Sequence, residues 1–158
     1  MKLFRIASSG KSWLPADMSG AGAAAEPGRW NGPGEHLIYA APSLAMAILE
    51  TSAHIDDGGL PLNKYVIEIE VPPALWASRR ILTPADLPGG WDAIPHGLAS
   101  ISVGSAWIQS CSEAILELPS VIAPEETIVL INPNHAEAKT IDGTATRRFQ
   151  YNLLFRPR

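Results

Sequence analysis

The sequence predicts a single α+β domain built on a curved, mainly antiparallel sheet with a few helices. Three observations predict it. The last third of the chain reads almost wholly as strands, two or so helical segments fall in the first two thirds, and 158 residues at 46% hydrophobic content suit one core rather than two. No internal repeat or low-complexity tract interrupts this pattern, and strand order cannot be read from it.

In chain order, Lys2 to Ser8 reads as an opening strand. Lys11 to Gly22, with Asp17, Ser19, Gly20 and Gly22, reads as loop, and the Ala-rich continuation to Glu26 as a short helix or a mobile flap. The run Pro27-Gly28-Arg29-Trp30-Asn31-Gly32-Pro33-Gly34 cannot be regular structure, so Arg29 sits on a turn. A short apolar run ending at Tyr39 reads as a strand, and residues from Pro42 read as a helix. From Lys64 to Val71, Tyr65, Ile67, Ile69 and Val71 alternate with Val66, Glu68 and Glu70, the period of a strand with one face buried, until Pro72-Pro73 stops it. Pro84 to Pro95 reads as a long surface connection that Trp91 can anchor, and Ser100 to Ser110 as a helix carrying Trp107. Ala114 to Val121, Thr127 to Ile131 and Arg148 to Phe155 complete the strands, the last with Phe149, Tyr151, Leu153 and Phe155 on one side.

Composition excludes several functions. A formal net charge of −4 argues against general adhesion to nucleic acid, which depends on clustered Lys and Arg. The local exception is Lys139, Arg147, Arg148, Arg156 and Arg158, which form either a solvated edge or a docking surface for an acidic partner or for phosphates. The single cysteine, Cys111, rules out an internal disulfide framework and a cysteine-rich zinc site, and His36, His96 and His135 lack metal-ligand spacing. No 18-residue apolar run and no signal-peptide pattern occurs, so a cytoplasmic protein without a membrane partner is expected. There is no G-x-G-x-x-G after a strand, no P-loop and no helix-turn-helix or RNA-binding signature, so any nucleotide is held another way.

The residues that could carry chemistry begin with Arg29, Tyr39 and Glu50, an arginine, a ring and a carboxylate suited to a ligand with anionic phosphates and a cationic ring. On a helix, Ser43, Glu50 and His54 fall within about 40° of one another, while Leu44, Ile48, Thr51 and Ile55 form a separate, mostly apolar line. Each candidate also has a plain structural reading. Glu50 can be a solvated carboxylate, Ser43 a helix cap, Arg29 a turn arginine bonded to carbonyls, Tyr39 a core residue and Trp30 an anchor for its loop. Ser120 lacks the small-residue elbow of a hydrolase nucleophile and reads as a hydrogen-bonding group.

Taken together these residues resemble the RES domain, the toxin half of bacterial toxin–antitoxin pairs, named for an arginine, a glutamate and a serine. The resemblance runs from Leu3-Phe4-Arg5-Ile6 through Gly28-Arg29-Trp30-Asn31, Tyr39-Ala40, Glu50 with His54, and Val103-Gly104 with Trp107. It closes with Leu118-Pro119-Ser120-Val121-Ile122 and Asn132-Pro133-Asn134-His135, and departs from the family at Pro27 and Ile128. It implies an ADP-ribosyltransferase-like fold, NAD+ as substrate with no permanently bound cofactor, and ADP-ribose passed to water, phosphate or a protein. It puts the family's arginine, tyrosine, glutamate and serine at Arg29, Tyr39, Glu50 and Ser120. Arg29, Tyr39 and Glu50 are then expected to be catalytic, with Ser120, Ser43, His54 and Trp30 helping to hold the substrate. It also implies an Xre-like helix-turn-helix antitoxin that buries the cleft. Two other classes stay open on the residues alone. One is a non-enzymatic domain that binds an acidic protein through the Arg29 loop and the basic C-terminal residues. The other is a carbohydrate hydrolase, for which Glu50 lacks an obvious second carboxylate.

Overall fold

The computed structural model describes residues 1–8, 14–53, 55 and 60–154. Among the described residues seven strands form two sheets. The first has three strands, β1 (Lys2–Ser8), β3 (Lys64–Glu70) and β7 (Asp142–Phe149), in the order β1-β3-β7, all antiparallel. The second has the order β2-β6-β5-β4, from β2 (Ile38–Ala40), β6 (Thr127–Ile131), β5 (Ile115–Pro119) and β4 (Arg80–Ile81). The two-residue β4 runs parallel to β5. The sheets are stitched where β1 meets the end of β2, because Phe4 and Ala41 exchange two backbone hydrogen bonds of 2.8 Å.

Among the described residues four α-helices pack around this frame: α1 (Ala21–Ala25), α2 (Leu44–Ser52), α3 (Pro73–Ala77) and α4 (Leu98–Ser110). The Ala-rich stretch before Glu26 therefore resolves as a short helix. Pro72-Pro73 does end β3, and Pro73 then starts α3, where proline's missing N–H costs nothing. Among the described residues no helix is long and apolar enough to cross a membrane.

β5 and β6 at the centre of the four-stranded sheet are buried on both faces, so they read as near-continuous apolar runs. Leu116, Leu118, Ile128 and Leu130 point into one core with Met46 and Ala47 of α2 and Trp107 and Ile108 of α4. Ile115, Val129 and Ile131 point into a second core shared with Leu3, Ile67 and Ile69 of the other sheet. Leu118 and Leu130 are fully buried, each contributing roughly 1.5–3 kcal/mol by leaving water. α2 is thus held by its own apolar stripe against the first core, which fixes where its polar side emerges.

One strand differs from the sequence reading. The last strand is not Arg148 to Phe155 but Asp142–Phe149, followed by a 3-10 turn at Tyr151–Leu153. Phe149 and Tyr151 are both buried as their spacing suggests, but they meet edge to face at 4.9 Å across the strand end rather than along a strand. β7 itself shows little apolar alternation because most of its residues are exposed, and its ladder to β3 holds it. Phe155, Arg156 and Arg158 lie outside the described residues.

Candidate active site

The Arg29 loop is irregular backbone made rigid by one buried amide. Asn31 is fully buried, and its Nδ2 donates to the carbonyls of Ala23 (2.8 Å) and Glu35 (3.1 Å). Its Oδ1 accepts from the Gly28 N–H at 2.9 Å and from the Tyr39 hydroxyl at 2.8 Å. Tyr39 in turn accepts the Trp30 N–H at 2.9 Å, so its phenol ties β2 to the loop. A Cβ at position 28 would lie 2.8 Å from that hydroxyl, and glycine leaves the room. Burial pushes the Tyr39 phenol well above its ordinary range despite the Trp30 N–H and the nearby Arg29 charge, so it remains neutral.

Trp30 faces inward. Its ring is 1% exposed and stacks on Trp91 with centroids 6.2 Å apart, which makes it an anchor for the loop rather than an open face. Glu35 fastens the other end of the loop to α4. Its Oε2 accepts the Gly32 N–H (2.7 Å) and the Ser105 hydroxyl (2.6 Å), and its Oε1 the Gln109 amide. Burial alone would raise the Glu35 carboxyl, but these donors outweigh it and hold the group below its ordinary value.

Arg29 is half-buried, and its Nη1 donates to two carbonyls of the 84–97 connection, Trp91 and Ala93, both at 2.9 Å. The turn-arginine reading is correct to that extent, although the carbonyls come from far along the chain. Burial lowers the guanidinium's proton affinity, and the charges of Glu50 first and then Asp92 oppose that loss. Glu50 therefore lies within electrostatic reach of Arg29.

Glu50 reaches its place on a regular element. Ser43 caps α2, its Oγ accepting the Met46 N–H at 3.1 Å, which is the capping role the sequence allowed for it. Two turns later the half-buried Glu50 presents Oε1 to the Ser120 hydroxyl, which donates at 2.5 Å. Ser120 is fully buried just beyond the end of β5, and its Oγ accepts the N–H groups of Ile122 and Ala123, both at 3.1 Å. With both lone pairs engaged by the turn, the hydroxyl proton points to the carboxylate. Charge-assisted bonds of this kind are stronger than neutral ones, so a carboxylate oxygen is fixed in direction. His54 lies outside the described residues.

The structure thus brings Arg29, Tyr39, Glu50 and Ser120 to one region on the α2 side of the four-stranded sheet, with Ser43 and Trp30 in supporting places. Sequence reasoning quoted Asn31 and Gly104 among the motifs of the resemblance without giving them a role, and it passed over Glu35. A Cβ at Gly104 would lie 1.8 Å from the Trp30 carbonyl oxygen, so α4 can approach the loop only through glycine. A glycine inside an otherwise helical pattern and an asparagine inside a turn-rich run were the available signals.

Comparison with known proteins points the same way. The model of the RES domain family matches residues 2–152. A protein named "Prs ADP-ribosylating toxin" from Sphingobium sp. (strain YBL2) is 51% identical over 149 residues, covering 94% of this chain and 92% of that one. A "Toxin Res" from Yersinia enterocolitica is 33% identical over 140 residues, covering 89% of each chain. Among solved structures, a chain of the M. tuberculosis MbcT–MbcA toxin–antitoxin complex superposes with TM-score 0.68 at 16% identity, covering 96% of this chain and 85% of that one. That last likeness is one of fold.

Proposed function

The chain belongs to the RES domain family, and on that premise we propose that it is the toxin of a bacterial toxin–antitoxin pair, acting in the cytoplasm by cleaving NAD+ between nicotinamide and ribose. The ADP-ribose passes to a protein, to water or to phosphate. A protein acceptor is favoured because a relative half-identical to this chain is named an ADP-ribosylating toxin. An Xre-type helix-turn-helix antitoxin is the proposed partner. The observation that carries the reading is a fixed carboxylate and a fixed guanidinium in one region: Glu50 held by buried Ser120, and Arg29 held by two carbonyls, with the Glu50 charge acting on the guanidinium.

In this reading the glycosidic C–N bond breaks and its electron pair leaves with nicotinamide, neutralising the ring. Positive charge develops on the ribose, as in glycoside hydrolysis. Glu50 stabilises that charge, and because the attraction grows as the bond breaks, it lowers the barrier rather than merely tightening binding. The acceptor's lone pair then closes on the ribose carbon and the acceptor loses a proton. Arg29 grips a phosphate or ribose oxygen with a planar fork that lysine cannot reproduce. Tyr39, neutral throughout, offers ring surface to the cationic nicotinamide. Ser120 acts through Glu50.

Incubating the purified protein with NAD+ labelled on adenosine, in cell lysate, tests both class and acceptor. Label on a protein band indicates transfer, free ADP-ribose indicates hydrolysis and phosphorylated ADP-ribose indicates phosphorolysis. Intact NAD+ in all conditions contradicts the reading.

A further inference from the structure

We propose that Trp91 is a positioning residue for Arg29, acting as a clamp that closes on two consecutive residues of the loop at once. Its carbonyl accepts from Arg29 Nη1 at 2.9 Å while its ring stacks on Trp30. The inference rests on the reading that Arg29 holds the substrate. Three features make Trp91 the controlling residue of the 84–97 segment. The segment's regular structure amounts to one 3-10 turn at Pro84–Asp86, so side-chain anchoring must place it. Two tight turns, Trp91 N–H to the Pro88 carbonyl and Ala93 N–H to the Gly90 carbonyl, both 3.2 Å, set the backbone from which the 91 and 93 carbonyls project. Beyond them Ile94 is 83% exposed, so that half of the segment takes little hold on the core, whereas Leu87 and Trp91 pack against it.

The fixed end of the clamp is Trp30, buried to 1% exposure and backed by α4 through Gly104. Displacement of the Trp91 backbone, once its ring no longer seats on Trp30, would withdraw one of the two carbonyls that hold Arg29 Nη1. A long, flexible side chain held before its ligand arrives loses less freedom on binding, so the clamp acts on affinity.

The test uses full-length Trp91→Ala, Trp91→Leu and Trp91→Phe, each checked by circular dichroism. Two readouts are taken: NAD+ kinetics, and the rate at which phenylglyoxal modifies Arg29, followed by mass spectrometry. Loss of the ring should raise KM for NAD+ about threefold to tenfold, the size of an aromatic pair, with kcat little changed. Arg29 modification should quicken by a similar factor, and Trp91→Phe should recover most of both. In an Arg29→Ala background Trp91→Leu should add nothing to KM. Trp91→Leu retains apolar volume and so keeps the test decisive if the alanine variant unfolds. Unchanged Arg29 modification in folded Trp91→Leu, or an equal KM rise without Arg29, overturns the proposal. A wild-type protein that leaves NAD+ intact overturns the functional reading instead, and the labelling rate still decides the clamp.

Discussion

The two walls of the proposed site are built by opposite means. The Arg29 wall is irregular Gly- and Pro-rich backbone, held by a buried amide, a carboxylate bridge to α4 and two stacked indoles. The Glu50 wall is a regular helix seated by apolar packing, whose functional group is aimed by one hydroxyl. The difference shows where stability and chemistry are separable. A loop with no ladder of its own must satisfy its buried polar groups through particular side chains, so loss of one of those buried polar groups should cost stability first. A helix brings its own hydrogen bonds, so its outward carboxylate can change with little structural cost.

Breaking the Arg29 wall should give the largest effects on stability. Gly104→Ala drives a methyl into the Trp30 carbonyl and should cost about 3 kcal/mol or more. In thermal denaturation that is a fall of roughly 6–12 °C for a chain of this size. Asn31→Ala leaves several buried partners unsatisfied at once and should cost about 2–3 kcal/mol, measured by urea unfolding. On the other wall Ser120→Ala should lower turnover about tenfold and stability by only about 1–2 kcal/mol, the latter from the two turn N–H groups it abandons. A stability loss from Ser120→Ala larger than that from Asn31→Ala would erase the distinction between the walls.

The smallest effect sharpens the comparison through pH. The Glu35 carboxyl is held below its ordinary value of 4.5, so its ionised form stabilises the fold. That contribution is fully present above the unfolded value and is lost as pH falls through the lower folded value. Glu35→Gln should therefore be about 1 kcal/mol less stable than wild type at neutral pH, with the gap closing under acid. A gap independent of pH would mean that Glu35 acts through shape rather than charge.

Much of this fold was legible. β1, β2, β3, β5, β6 and both longer helices lie where apolar period and proline stops put them, because each buries a face whose spacing is written locally. β7 was displaced by six residues at its start because an exposed edge strand carries little apolar signal, while Phe149 and Tyr151 mimic one beyond it. In the site, Arg29, Tyr39, Glu50 and Ser120 were named from the sequence, largely through the family resemblance. The partners of Arg29 were not, since carbonyls 62 and 64 residues away leave no mark in residue type. The roles of Asn31 and Glu35 escaped because their work, closing hydrogen bonds around a loop, depends on a tertiary arrangement that spacing does not encode.

Nicotinamide release from NAD+ by purified wild type and Glu50→Gln, side by side at equal circular dichroism and melting temperature, tests the central claim most directly. The account expects release by the wild type and a reduction on the order of 100 to 1000-fold in the variant. Equal release by the two folded proteins, or none by the wild type, would contradict it.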